Sequence, residues 1–267
     1  MDSSQWSISY GGNPLFTAWD AIGNPQPITS APDAMMQCVT SLTGTIVVFG
    51  TSQYLGIQDL ISSKSQAIYG IYDWAFDNPT NSYLGHFMPG GALSHATPKL
   101  LQQTVVADPD NYRLVSSNQI NYYNPSDASQ TGQTHLEWYY LLPGASERMV
   151  QDVLISNYVV YVVSNTLTAS FCSGVGGSYL YALNACSGGT KSTPQFDTNG
   201  DNKIDSSDTV AFGGATAPPT AMYFDTTMYA PFALDDYLYI TTTEGLITPI
   251  LITKETGNKL RYWRIIE

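Results

Sequence analysis

The sequence predicts an all-β fold built from propeller-like blades, and three observations carry that expectation. Tyr, Thr, Val, Ile, Gly and Ser dominate, with 19 Tyr, 9 Phe and 5 Trp, the residues that pleated strands and tight turns use. Strand-like runs arrive about every ten residues with turn signals between them, and the 3.6-residue period of a helix is almost absent. A strand–turn–strand unit also recurs three times: TIVVFGTSQYLG…AIYGIYD, YVVYVVSNT…GGSYLYALNACSGG and DYLYITTTEGLITPILITKETG. A β-sandwich accounts for the strands nearly as well.

The elements follow in order. Residues 12–34 carry four of the 15 prolines and read as extended segments and turns. TIVVFG (45–50) is a buried-type strand, and QAIYGIYDW (66–74) is its expected partner. Residues 57–64 and 97–104 are the two helix candidates, and 75–98 is loop-like. TVVAD, YRLVSSNQINYYN and HLEWYYLLPG follow as strand candidates. MVQDVLISNYVVYVVSNTL (149–167) is the most apolar stretch and reads as two strands split near Ser156 and Asn157. In the terminal GNKLRYWRI, Trp263 is expected to close the last hairpin. The whole of 1–267 reads as a single domain.

Charge excludes several functions. The formal charge is −12, from 22 acids against 10 bases, and no cluster of Lys and Arg occurs. The counterion-release term that drives nucleic-acid binding is therefore missing, as is a polybasic membrane anchor. No apolar run reaches 18 residues, so no membrane span is expected. The opening MDSSQWSISYGG lacks the charged and apolar regions of a signal peptide. Cys172 and Cys186 bracket one strand-like run. A disulfide between them and three unpaired thiols, with Cys38 the third, are both compatible with the sequence.

One motif carries chemistry. In D-T-N-G-D-N-K-I-D-S-S-D, oxygen side chains fall at loop positions 1, 3, 5, 9 and 12: Asp197, Asn199, Asp201, Asp205 and Asp208. Lys203 at position 7 offers its carbonyl, and Ile204 at position 8 is the apolar anchor. Calcium (Ca2+) is a hard cation that takes six to eight oxygens, and alternate residues of a tight loop converge on one point. Without a cation, four neighbouring carboxylates repel one another. Asn202 stands at position 6, where Gly is usual because the chain turns with positive φ, and Asn is the next most tolerant residue there. Asp208 replaces the usual bidentate Glu and reaches less far. The flanks, STPQF and TVAFGGATAPP, cannot form helices of any length, so the loop is expected between strands.

No catalytic site can be argued, and the chain is read as not an enzyme. His86, His95 and His135 are isolated, and no G-x-S-x-G elbow occurs. Glu137, beside Trp138, reads as a strand carboxylate on the solvent face rather than a buried general acid. A quinoprotein-type enzyme would need a cofactor platform, usually with a vicinal Cys pair, which the sequence lacks. A dockerin-like carbohydrate or protein-binding module would carry two such loops, each followed by a helix.

Several stretches together resemble the C-terminal region of the PilC/PilY family of type IV pilus biogenesis proteins and tip-associated adhesins. They are PLFTAWDAIGNPQPITSAPD (14–33), IVVFGTSQYLGIQDL (46–60), QAIYGIYD (66–73), EWYYLLPGASERMVQDVLI (137–155), GGSYLYALNACSGG (176–189), FDTNGDNKIDSSD (196–208) and the terminal RYWRIIE. The resemblance implies a modified propeller of quinoprotein-like blades, and a role in pilus extension and retraction, surface adhesion and twitching motility. It implies an extracellular, pilus-associated place on the cell surface. It maps the family's nine-residue calcium loop onto Asp197, Asn199, Asp201, the Lys203 carbonyl and Asp205, with Asp208 outside that set. The implied partners are minor pilins or other pilus-tip subunits and a host or surface ligand. Family members are much longer, so this sequence reads as a C-terminal piece holding part of the blade ring, with a separate segment completing it.

Overall fold

The computed structural model describes residues 12–60, 62–74, 84–89, 91, 99–124, 126–127, 129, 134–166 and 176–253. In chain order the elements are β1 (Thr17–Ala18), β2 (Asp33–Met36), β3 (Thr45–Gly50), α1 (Ile57–Leu60), β4 (Ala67–Asp73), β5 (His86–Phe87), β6 (Lys99–Gln103), β7 (Val105–Ala107), β8 (Tyr112–Val115) and β9 (His135–Leu141). They continue as β10 (Glu147–Arg148), β11 (Leu154–Ser156), β12 (Val159–Thr166), β13 (Ser178–Asn184), β14 (Val210–Phe212), β15 (Ala215–Ala217), β16 (Ala221–Phe224), β17 (Phe232–Leu234), β18 (Tyr237–Thr241) and β19 (Ile247–Leu251). The fold is all-β, as the composition and spacing predict.

Each copy of the sequence repeat forms the antiparallel pair of a different sheet. β3 pairs β4 in a five-stranded sheet ordered β2-β3-β4-β9-β6. β12 pairs β13 in a seven-stranded sheet ordered β10-β12-β13-β16-β8-β7, with β11 beside β12. β18 pairs β19 in a three-stranded sheet with β17. The split expected near Ser156 is the turn Asn157–Tyr158, both residues at positive φ (51° and 59°) as a tight hairpin between β11 and β12 demands.

Three apolar clusters explain the stacking. Ile46, Val48, Ile68, Trp138 and Tyr140 of the five-stranded sheet meet Val160, Val162, Tyr181 and Leu183 of the seven-stranded sheet in one core. The other face of the first sheet packs Phe49, Tyr69, Ile71 and Tyr139 under Phe16 and Phe87. The other face of the second packs Val159, Tyr161, Val163 and Leu180 against Leu238, Ile240 and Ile250 of the third. Both faces of the first two sheets are thus covered, which is why β4 and β12 read as unbroken apolar runs. Each fully buried valine of β12 contributes about 1.5–3 kcal/mol before the entropy of ordering is set against it.

The seam between the first two sheets has two fixtures. The Trp138 indole donates to the Ala185 carbonyl at 3.0 Å and lies between Gly70 and Gly188, where a Cβ would come within 2.5 Å and 2.2 Å of the ring. Beside it, Cys38, two residues after β2, forms a disulfide with Cys186 after β13, with 5.8 Å between the Cα atoms and a sequence separation of 148. This corrects both sequence readings of the cysteines. Stacking brings two residues together that nothing local connects, and Cys172 lies outside the described residues.

Two further expectations are moved, and a third falls outside the described residues. Within the helix candidate at 97–104, Lys99–Gln103 form instead the strand β6, held by parallel pairing with β9, so tertiary contact overrides the local pattern. The candidate at 57–64 keeps the short α1, and the Leu55 and Gly56 amides just before it donate to the Asp59 carboxylate within it. Trp263 and its hairpin lie outside the described residues.

Candidate metal-binding loop

Residues 197–208 lie in the connection that leaves β13 and returns to the same sheet as β16, preceded by Phe196 in the core and followed by the small hairpin β14–β15. The loop therefore stands between strands, as its flanks predict. Its side chains turn in on their own backbone. Asp197 accepts from the Gly200 amide (2.7 Å) through one oxygen and from the Asn202 amide (2.8 Å) through the other. Asn199 accepts from the Asp201 amide and Asp201 from the Lys203 amide, each at 2.9 Å. Asp205 accepts from the Ser207 amide (2.8 Å) and hydroxyl (2.7 Å). These bonds hold the Asp205 carboxyl below the usual carboxylate range, the Ser207 side chain first and its amide second.

The chain can coil this tightly because Gly200 and Asn202 take positive φ, 77° and 63°. Position 6 thus has the backbone that the loop pattern requires, with asparagine in place of glycine. Ile204 is half-buried, while Asn199, Asp201, Lys203 and Asp205 face solvent. The donor set is all oxygen, which suits a hard cation by type. Among the described residues, however, no three His, Cys, Asp or Glu side chains form a group that could hold a metal ion.

Asp208 stands apart from the others. It is fully buried and accepts from the Thr198 amide at 2.7 Å and the Asp205 amide at 2.8 Å, one through each oxygen. It ties the start of the loop to its end. Two residues that the ligand pattern passes over also shape the loop: Ser207, whose hydroxyl also accepts from the Asn199 side chain (2.9 Å), and Thr198. The signal for Ser207 is its spacing, two residues after an Asp, which is the Asx-turn pattern. On its open side the loop borders a cleft of about 610 Å³, which Asp197 and Asn202 share with Phe224, Tyr237, Tyr239 and Pro249.

Elsewhere, His135 is half-buried on β9, and its Nδ1 accepts from the Asn121 amide at 3.1 Å. Burial sets its pKa below the usual imidazole value. His86 falls on β5, and His95 lies outside the described residues. Glu137 is a correction. It is fully buried, not on a solvent face. Between Lys99–His135 and Leu101–Trp138 the register with β6 shifts by a residue, and Glu137 sits in that bulge at φ 79°. The extra residue breaks the alternation on which the solvent-face reading rests.

Comparison with known proteins gives consistent results. A family model described as the PilY1 beta-propeller domain matches residues 2–108. Type IV pilus biogenesis factor PilY1 of one Pseudomonas aeruginosa strain is 25% identical over 206 residues, covering 76% of this chain and 18% of that protein. PilY1 of another strain is 27% identical over 229 residues, covering 77% and 18%. The chain thus spans about a fifth of the length of the curated relatives it matches. The crystal structure of the P. aeruginosa PilY1 C-terminal domain superposes with a TM-score of 0.72 at 22% identity, covering 94% of this chain and 50% of that one.

Proposed function

We propose that this chain, similar over about three quarters of its length to PilY1 and sharing the fold of the PilY1 C-terminal domain, serves type IV pilus biogenesis as a non-enzymatic, calcium-binding module at the pilus. Its task on this reading is to support pilus extension and retraction and surface adhesion, in contact with minor pilins or other tip subunits. The relatives' name, type IV pilus biogenesis factor, supports the pilus part of this reading. The observation that carries the calcium part is the loop's sequence pattern on a matching backbone: Asp197, Asn199, Asp201 and Asp205 recur at alternate ligand positions, each accepts from a loop amide, and Asn202 takes the positive φ that the pattern requires.

In this reading those four residues and the Lys203 carbonyl hold the ion. Calcium would supply charge neutralisation and rigidity, not chemistry on a substrate. The residues already do part of the work, because their bonds to backbone amides shape the loop and reduce the entropy an ion has to overcome on binding. The disulfide between Cys38 and Cys186 supports an extracytoplasmic setting, since such bonds persist where the environment is oxidising.

The test is a calcium titration by calorimetry, paired with a pilus assay. Wild type should bind with a measurable heat, and Asp197→Ala with Asp201→Ala should abolish it while the fold persists by circular dichroism. Introduced into the full-length protein of the source cell, the same pair should impair twitching motility. Unchanged calcium affinity in the double variant would sink the site. Unchanged motility with lost affinity would sink its role in the pilus.

A further inference from the structure

Glu137 is unlike the other acids described. It is fully buried in the bulge of β9, and its Oε1 accepts one hydrogen bond, from the Gln37 side-chain amide at 2.7 Å. Its Oε2 is buried and has no hydrogen-bond partner among the described residues. The neighbouring phenols do not cover it. The Tyr72 hydroxyl donates to the Thr43 carbonyl at 2.6 Å, and the Tyr122 hydroxyl donates to the Cys186 carbonyl at 2.9 Å. Among the described residues, the ion pairs fall on Arg113 with Asp108 and Glu147, so no cation offsets a charge at Glu137. A lone carboxylate enclosed this way is costly, and a neutral carboxyl far less so.

Gln37 links this acid to the seam between the sheets. Its side-chain oxygen accepts from the Cys38 amide at 2.5 Å, and its own amide donates to Gly44. Cys38 is the residue bonded to Cys186 across the stack. We infer that Glu137 is a proton-held latch: the fold encloses it as a neutral acid, and its ionisation loosens the Gln37–Cys38 end of β2 beside the inter-sheet disulfide.

The titratable groups around it are consistent with this. Burial, opposed by the single bond from Gln37, pushes the Glu137 carboxyl up to about 8 from an ordinary 4.5. Burial first, and the nearness of Glu137 second, raise Tyr72 to about 12 and push Tyr122 higher still, so both phenols stay neutral through the range in which Glu137 titrates. His135, two residues before it on β9, has a lowered pKa and acts with the opposite sign. In the unfolded chain Glu137 ionises near 4.5, while the native state keeps its proton to about 8. The native state therefore holds one more proton between those values, and stability falls as pH rises through that window and levels off above it.

The test is chemical denaturation of the disulfide-intact chain at pH 5, 6, 7 and 8, for wild type and Glu137→Gln. Each pH unit should cost wild type up to about tenfold in its folding constant relative to the variant, because one proton is at stake. Contributions common to both proteins, His135's among them, cancel in the comparison. Equal pH slopes would overturn the inference. Should Glu137→Gln not fold, hydrogen exchange in wild type decides. The Gln37 and Cys38 amides should exchange with a steeper pH dependence than base catalysis alone gives, and a matching slope would overturn the latch.

Discussion

Asp208→Asn separates the two roles that an acid in this loop can have. Asp208 is enclosed and receives the Thr198 amide on one oxygen and the Asp205 amide on the other. Asparagine keeps one acceptor and turns an amino group toward the second amide, so one bond to a charged acceptor is lost. Such bonds contribute about 1.5–3 kcal/mol, which sets the expected loss at about 2 kcal/mol. For a chain of this size that lowers the melting temperature by about 4–8 °C. The measurement is thermal unfolding in the presence of a chelator, so that no bound cation contributes. Asp201→Asn is the control. It is exposed and keeps its acceptor for the Lys203 amide, so its calcium-free stability should change by less than about 0.5 kcal/mol. A calcium titration of the same proteins should show Asp201→Asn weakening binding far more than Asp208→Asn. If Asp208→Asn melts like wild type without calcium yet loses calcium binding, Asp208 is a ligand rather than a tie and the reasoning fails.

Two further outcomes test the seam between the sheets. Cys38→Ser and Cys186→Ser should each cost the same, about 2–5 kcal/mol for a cross-link that closes so long a loop, while Cys172→Ser leaves the Cys38–Cys186 bond intact; melting with and without reductant, together with thiol counting, checks this. Gly188→Ala should destabilise by about 2–4 kcal/mol, because the glycine sits at φ 70° and a Cβ would meet the Trp138 ring at 2.2 Å; an urea unfolding midpoint unchanged from wild type would show that the indole is free to move.

The sequence by itself determined the features that near neighbours decide. The strands of the three-fold repeat and the split at Asn157–Tyr158 follow from patterns within a few residues, and the structure reproduces each of them. The spacing of oxygens in 197–208 likewise anticipates a coiled loop between strands, down to the positive φ at Asn202. Tertiary structure alone decided what depends on distant partners. Within 97–104, Lys99–Gln103 became a strand because β9 offered a ladder, against their own local pattern. Cys186 met Cys38, 148 residues away, because the sheets stack face to face. Glu137 went inside because a bulge shifts the register and the far side of the sheet is covered too. Alternation along a strand reports two faces, but not which of them another sheet will cover.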